Sequence, residues 1–318
     1  MSEPRSMIDL VEEYLEYRRR LGVQMRAQSW LLRAFAHYAD GTGHCGPLTT
    51  ELAVRWARLP ANAAPLYQAR RFGVVRGFAR YRVIFDPDTE IPPEGLLGPA
   101  RRRPTPHIYT EAEQSALLAA ARRLKSLTGL RSRTYATLIG LLNCTGMRIS
   151  EALRLTQDDV DWGQRTLTIR QTKFHKSRMI PLHPTTVQAL ETYARFRDQC
   201  HPIPRTDTFF VSQRGAPPTY GTVAHTFGEL RTHLPGPQRP EGRAPRIHDL
   251  RHTFACRRLL RWYAEGVDLD YAILALSTYL GHAQVSDTYW YLTGIPELLA
   301  LAAARFEQFA PPDHGVPS

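Results

Sequence analysis

Six residues in this sequence have side chains suited to holding an anion and moving a proton beside it. Arg148 follows the Thr145-Gly146 break at the start of a helix, with Glu151 three residues on. Far downstream, His248-Asp249-Leu250-Arg251 sets an imidazole and a guanidinium at i, i+3 on one helix face. Leu280-Gly281-His282 adds a second histidine, and Tyr291 follows nine residues later in a Tyr289-Trp290-Tyr291 cluster. Lys173 lies in the polar run Thr172-Lys173-Phe174-His175-Lys176-Ser177-Arg178 between two strand patterns. Guanidiniums keep their charge at any working pH and bind oxyanions bidentately. Histidine and lysine transfer protons, and a tyrosine hydroxyl attacks once a base or nearby cation activates it. Each signal alone also has a plain structural reading. An Arg–Glu pair is commonly a surface contact, a hairpin lysine is commonly solvated, and a tyrosine among aromatics is commonly core. Their joint order along one chain is what singles them out.

The bulk composition agrees with an anionic partner. The 318 residues carry 41 Lys and Arg against 30 Asp and Glu, a formal net charge of +11. A 43% apolar fraction supports real cores, so the charge belongs to a folded protein that prefers polyanions. No run approaches the length of a membrane span, and the N-terminus lacks an apolar signal core; we expect a cytoplasmic protein that does not enter membranes. Cys45, Cys144, Cys200 and Cys256 are scattered, which predicts reduced, mostly buried thiols rather than a disulfide framework or zinc site. Neither a carboxylate cluster nor a GxxxxGK[ST] loop is present, so no metal and no cofactor is expected.

These residues need positioning elements. Apolar periodicity predicts helices over Met7–Leu21, Gln28–Tyr38, Thr49–Trp56 and Ala63–Tyr81. The last of these places Arg70, Arg71, Arg76, Arg80 and Arg82 among apolar residues, so it could lie along a phosphate backbone or be a solvated helix. Prolines from Pro87 to Pro106 break helix, with Arg101, Arg102 and Arg103 in their midst. Thr110 and Glu113 then form a capping box before an apolar run. Helices follow over Tyr135–Leu142 and from Arg148 to Leu155. Thr166–Ile169 and Arg178–Leu182 alternate as one strand pair. Later helices run from Ile247 to Tyr263 and from Tyr271 to Leu280, with a short one after Ser286-Asp287 and an apolar one after Pro296. The class is mainly α with a small antiparallel β-hairpin or sheet (α+β).

The ordered set Arg148, Lys173, His248-x-x-Arg251, His282, Tyr291 resembles the tyrosine recombinases of the phage integrase family, over nearly the whole chain. The Tyr-Trp-Tyr-Leu ending is similar to recombinases of bacterial transposable elements. The resemblance implies a two-domain DNA clamp. Residues 1–95 would be a helical core-binding (SAM-like) DNA-binding domain and 96–108 a Pro/Arg-rich linker. Residues 109–318 would be the catalytic domain, ending in a docking helix over 296–310 that packs on a neighbouring protomer. It implies catalytic roles for Arg148, Lys173, His248, Arg251, His282 and Tyr291, with Glu151 in support. The arginines and His282 would hold the non-bridging oxygens, and Lys173 would protonate the leaving 5′-oxygen. His248 would assist Tyr291, whose ordinary pKa near 10 the cations would lower. Phe174 stands where the family often has Gly, which leaves Lys176 as a second candidate proton donor; Tyr289 is a rival nucleophile. Arg70, Arg71, Arg101, Arg102, Arg103, Lys176 and Arg178 are the expected further DNA contacts.

The activity so implied is site-specific cutting and rejoining of double-stranded DNA through a 3′-phosphotyrosine, for integration, excision or transposition of a mobile element. The expected partners are double-stranded DNA, a homo-tetramer on that DNA, and sister recombinases or host DNA-bending proteins. The expected location is the bacterial nucleoid. Two other readings share the residues: a type IB topoisomerase, which would relax supercoils as a monomer, and a catalytically silent DNA-binding accessory protein.

Overall fold

The computed structural model describes residues 5–23, 25–59, 61–100, 105–170, 177–236, 244–282 and 284–293, without the side chains of 26 and 290–293. The chain divides into two units, Met1–Pro104 and Thr105–Ser318. Arg101, Arg102, Arg103, Lys173, Lys176 and the 296–310 segment lie outside the described residues, as does the side chain of Tyr291.

Among the described residues the first unit holds four helices: α1 (Met7–Arg20), α2 (Arg26–Gly41), α3 (Thr50–Arg58) and α4 (Pro65–Arg82). Ser6 and Asp9 close a capping box on α1, and Asp40 of α2 accepts hydrogen bonds from the Met7 and Ile8 amides. The helices meet on a core of Val11, Leu15, Leu32, Phe35, Trp56, Val75 and Phe78. The basic helix α4 is more selective than its composition suggests. Arg70 is exposed, whereas Arg71 is buried, with its guanidinium 3.7 Å from the Trp56 ring centre and Nη2 donating to the Trp56 carbonyl at 2.8 Å. The expectation that Arg71 contacts DNA is therefore corrected: it stacks α4 onto α3.

In the second unit the Thr110 capping box opens α5 (Glu111–Arg122), followed by α6 (Leu130–Thr145) and a single turn, α7 (Ile149–Ala152). Strands β1 (Val160–Asp161), β2 (Thr166–Ile169) and β3 (Arg178–Pro181) form an antiparallel sheet in that order, one strand more than the predicted pair. Helices α8 (Pro184–Cys200), α9 (Tyr220–Leu230), α10 (Asp249–Ala264), α11 (Leu269–Leu280) and α12 (Ser286–Thr293) follow among the described residues. The core joins α5, α6, α8 and the inward face of the sheet, while Ala255, Cys256, Leu259, Ile273 and Leu276 seal α10 to α11. Register decides which way the sheet's polar residues point. Ile169, on the buried face of β2, pairs with Arg178, so Arg178 shares that inward face with Ile180. Cys45 and Cys144 are exposed, Cys200 is half-buried and Cys256 alone of the four is fully buried, which corrects the expectation of mostly buried thiols.

Candidate active site

Two glycines at helix ends shape the site. Gly146 ends α6 at φ +60° and Gly281 ends α11 at φ +67°, a region that side chains avoid. A Cβ on Gly146 would strike the Phe254 ring, and one on Gly281 would lie 2.7 Å from Arg178 Nη1. At both ends the backbone must pass close to another element.

That close approach brings the arginines onto the two helix ends. Arg251, on α10, donates from Nη1 to the Gly146 carbonyl at 2.9 Å and from Nη2 to the Leu280 carbonyl at 2.8 Å. Arg148, the N-cap residue of α7, donates from Nη2 to the Gly281 carbonyl at 3.1 Å. Cations at C-terminal carbonyls also meet the negative end of the α11 dipole. Arg148, Arg251 and the residues preceding His282 are thus joined by three hydrogen bonds, although 103 residues separate the two arginines in sequence.

Glu151 organises the other side of Arg148. Its Oε1 accepts from Arg148 Nη1 at 2.8 Å and its Oε2 from the Arg148 amide at 2.9 Å. The same carboxylate accepts from Arg178 Nη2 at 2.8 Å and Nη1 at 3.2 Å. Burial pushes the Glu151 carboxyl up, but the Arg178 and Arg148 interactions outweigh it and hold the pKa at about 2. Arg178, expected among the outward DNA contacts, is only 12% exposed, with both terminal nitrogens on Glu151 and its guanidinium against Gly281. That expectation is corrected: Arg178 braces the site from within.

The histidines are neutral in this environment. His248 is exposed as a residue, but desolvation of its ring first, then the charge of Arg251, lowers its pKa to about 4. The same causes lower His282 to about 4, with Arg251 and Arg148 adding to burial. His248 meets His252 one turn on, ring centres 4.9 Å apart and planes perpendicular. His282 Nδ1 lies 2.7 Å from the hydroxyl of Thr288, a fully buried residue on α12. Tyr291 belongs to the same helix, and Tyr289 is half exposed at 46%.

Arg148, Glu151, Arg251 and His282 therefore come together, His248 lies one turn from Arg251, and α12 reaches the group through Thr288. Sequence reasoning passed over Thr288 and the inward role of Arg178. For Arg178 a signal existed: an alternating strand whose buried face includes an arginine calls for a buried acid elsewhere.

Residues 108–294 match the profile of the Phage integrase family. A Sinorhizobium fredii protein named as an integrase/recombinase, y4rB, is 42% identical over 304 residues, spanning 94% of this chain and 96% of its own. The tyrosine recombinase XerC of Chlamydia caviae is 29% identical over 238 residues, 72% of this chain and 68% of its own. Among solved structures, the Tn1549 transposon integrase in complex with circular intermediate DNA superposes with a TM-score of 0.67 at 19% identity, covering 95% of this chain and 99% of that one. At that identity the likeness is one of fold.

Proposed function

This chain belongs to the phage integrase family, and from that premise we propose that it is a site-specific DNA recombinase acting through a 3′-phosphotyrosine. The observation that carries the mechanism is the convergence of Arg148 and Arg251 on the carbonyls at 280–281, beside His282 and the helix that bears Tyr291. Both guanidiniums there bond neutral carbonyls, and a phosphate oxygen, being charged, is the stronger acceptor for the same donors. Arg148 and Arg251 would hold the two non-bridging oxygens as negative charge gathers on them.

The Tyr291 hydroxyl attacks phosphorus, forming a Tyr–O–P bond while the bond from phosphorus to the 5′-oxygen breaks. The tyrosine proton passes to the neutral His248, and Lys173 supplies the proton that the departing 5′-oxygen takes up. One phosphate ester replaces another of similar energy, so attack by a 5′-hydroxyl of a second strand reverses the step without ATP. The first unit would grip the duplex through α4, whose Arg70 is exposed, with Arg101, Arg102 and Arg103 in the bridge and Lys176 in the hairpin. Four protomers on DNA, linked by the 296–310 segment docking on a neighbour, would couple assembly to cleavage. The site of action would be the bacterial nucleoid; among the described residues no helix is long and apolar enough to cross a membrane.

The test is a trapped adduct. Duplexes selected by binding from a random pool are nicked near the bound site and incubated with the protein, and covalent complexes are sought on denaturing gels. We expect an adduct that Tyr291→Phe abolishes and Tyr289→Phe leaves intact. An adduct that persists in Tyr291→Phe would overturn the nucleophile assignment. No adduct from the parent protein would overturn the catalytic reading.

A further inference from the structure

We propose that Thr288 is a positioning residue of the site: its hydroxyl donates to Nδ1 of His282, which keeps the ring proton on Nε2 and ties the histidine to the helix bearing Tyr291. The proposal rests on the catalytic reading above. Three observations lead to it. The Thr288 Oγ1 and His282 Nδ1 atoms are 2.7 Å apart, and Thr288 has no exposed surface. The backbone on both sides is held: the Gly281 cap turns the chain out of α11, the His282 amide donates to the Ser277 carbonyl at 3.0 Å, and the Thr288 amide donates to the Val285 carbonyl at 2.7 Å. Thr288 is also one helical turn before Tyr291, so a bond at its hydroxyl fixes the face of α12 on which the tyrosine stands.

The chemistry follows from the count of ring protons. A neutral imidazole has one donor nitrogen and one acceptor nitrogen, and a hydrogen bond at one of them decides which is which. Burial together with Arg251 and Arg148 keeps His282 neutral, so the ring cannot donate from both sides. If Nδ1 accepts from Thr288, Nε2 carries the hydrogen and can donate to a phosphate oxygen. If Nδ1 donated to Thr288 instead, Nε2 would turn a lone pair toward that oxygen and repel it. With the Thr288 hydroxyl donating, as proposed, the ring holds the tautomer that stabilises developing charge. That hydroxyl belongs to the element that brings the nucleophile, so α12 must be seated before the histidine is correctly protonated.

Thr288→Val and Thr288→Ser separate this role from packing. Valine keeps the shape and loses the hydroxyl, whereas serine keeps the hydroxyl and loses a methyl group. The first measurement needs no DNA: imidazole nitrogen spectra of the ¹⁵N-histidine-labelled protein, with His282 assigned by His282→Ala. We expect the Nε2–H tautomer in the parent and in Thr288→Ser, and a mixture in Thr288→Val. The second is the single-turnover rate of adduct formation on the nicked duplex. We expect Thr288→Val to be about tenfold slower with DNA affinity unchanged, Thr288→Ser to stay within about twofold, and Thr288→Val to add nothing in a His282→Ala background. An Nδ1–H tautomer in the parent, a Thr288→Val protein as fast as the parent, or a Thr288→Ser loss as large as that of Thr288→Val would each overturn the proposal. A parent that shows the Nε2–H tautomer yet forms no adduct would overturn the catalytic reading instead and leave the hydrogen bond standing.

Discussion

At Glu151 a buried carboxylate is charged because two guanidiniums share it, and removing that charge isolates Arg178 rather than neutralising a pair. Breaking a buried ion pair from one side leaves an uncompensated charge, so Glu151→Gln should cost about 3 kcal/mol in urea unfolding. A loss under about 1 kcal/mol would show that solvent, not Glu151, satisfies the arginines. Two half-buried histidines should make the fold sensitive to acid. His252 and His282, both half-buried, have folded pKa values of about 3 and about 4, each lowered first by desolvation, against about 6.5 in an unfolded chain. Below about pH 6.5 the unfolded chain binds protons that the folded one refuses, so stability present above that pH is lost as pH falls toward 4. Glu151 adds to this only lower down, between its ordinary value and about 2. Thermal melts from pH 7 to 4.5 should show a falling midpoint, and His252→Phe should flatten the fall. A midpoint independent of pH over that range would contradict the lowered pKa values of these half-buried histidines.

Among the elements, the ends of α6 and α11 carry the site, and their glycines are where the backbone tolerates least change. Gly281→Ala would combine a strained left-handed φ with a collision against Arg178, displacing the brace on Glu151 and the turn before His282. We expect a protein that still folds, is destabilised by about 2 kcal/mol, and forms adduct at least about tenfold more slowly. Parent-like rates would mean that the Arg178 contact does not position the site. Most helices were legible in sequence because their apolar spacing is clean: Leu32, Phe35 and Ala36 in α2, or Phe72, Val75 and Phe78 in α4, repeat at helical intervals. Two were not. α8 buries Val187, Leu190, Tyr193 and also Arg197, so its inward stripe reads as partly polar. α9 has two glycines and three β-branched residues in eleven, and depends on its Thr219 cap and tertiary packing rather than propensity. The candidate site residues stood out by type and order. Arg71 and Arg178 misled because a guanidinium signals an anion wherever it lies, and their partners, Trp56 and Glu151, are 15 and 27 residues away.

For the whole molecule, charge is spread over both units, with the first 103 residues and the remainder each carrying a net positive charge close to half of the +11 total. Binding to duplex DNA should therefore involve phosphates along both units, with affinity falling at least about 10³-fold between 50 and 200 mM salt. A flat salt response would contradict a grip shared by the two units. The most direct test of the central claim follows the polarity of the trapped adduct. On a selected, nicked duplex labelled at either end of the scissile strand, we expect the 5′-terminal label to migrate with the protein. The 3′-terminal label should leave on a short fragment whose 5′-hydroxyl a kinase can phosphorylate, and Tyr291→Phe should retain neither pattern. A 3′-terminal label bound to the protein, or an adduct unchanged in Tyr291→Phe, would contradict attack by Tyr291 to form a 3′-phosphotyrosine.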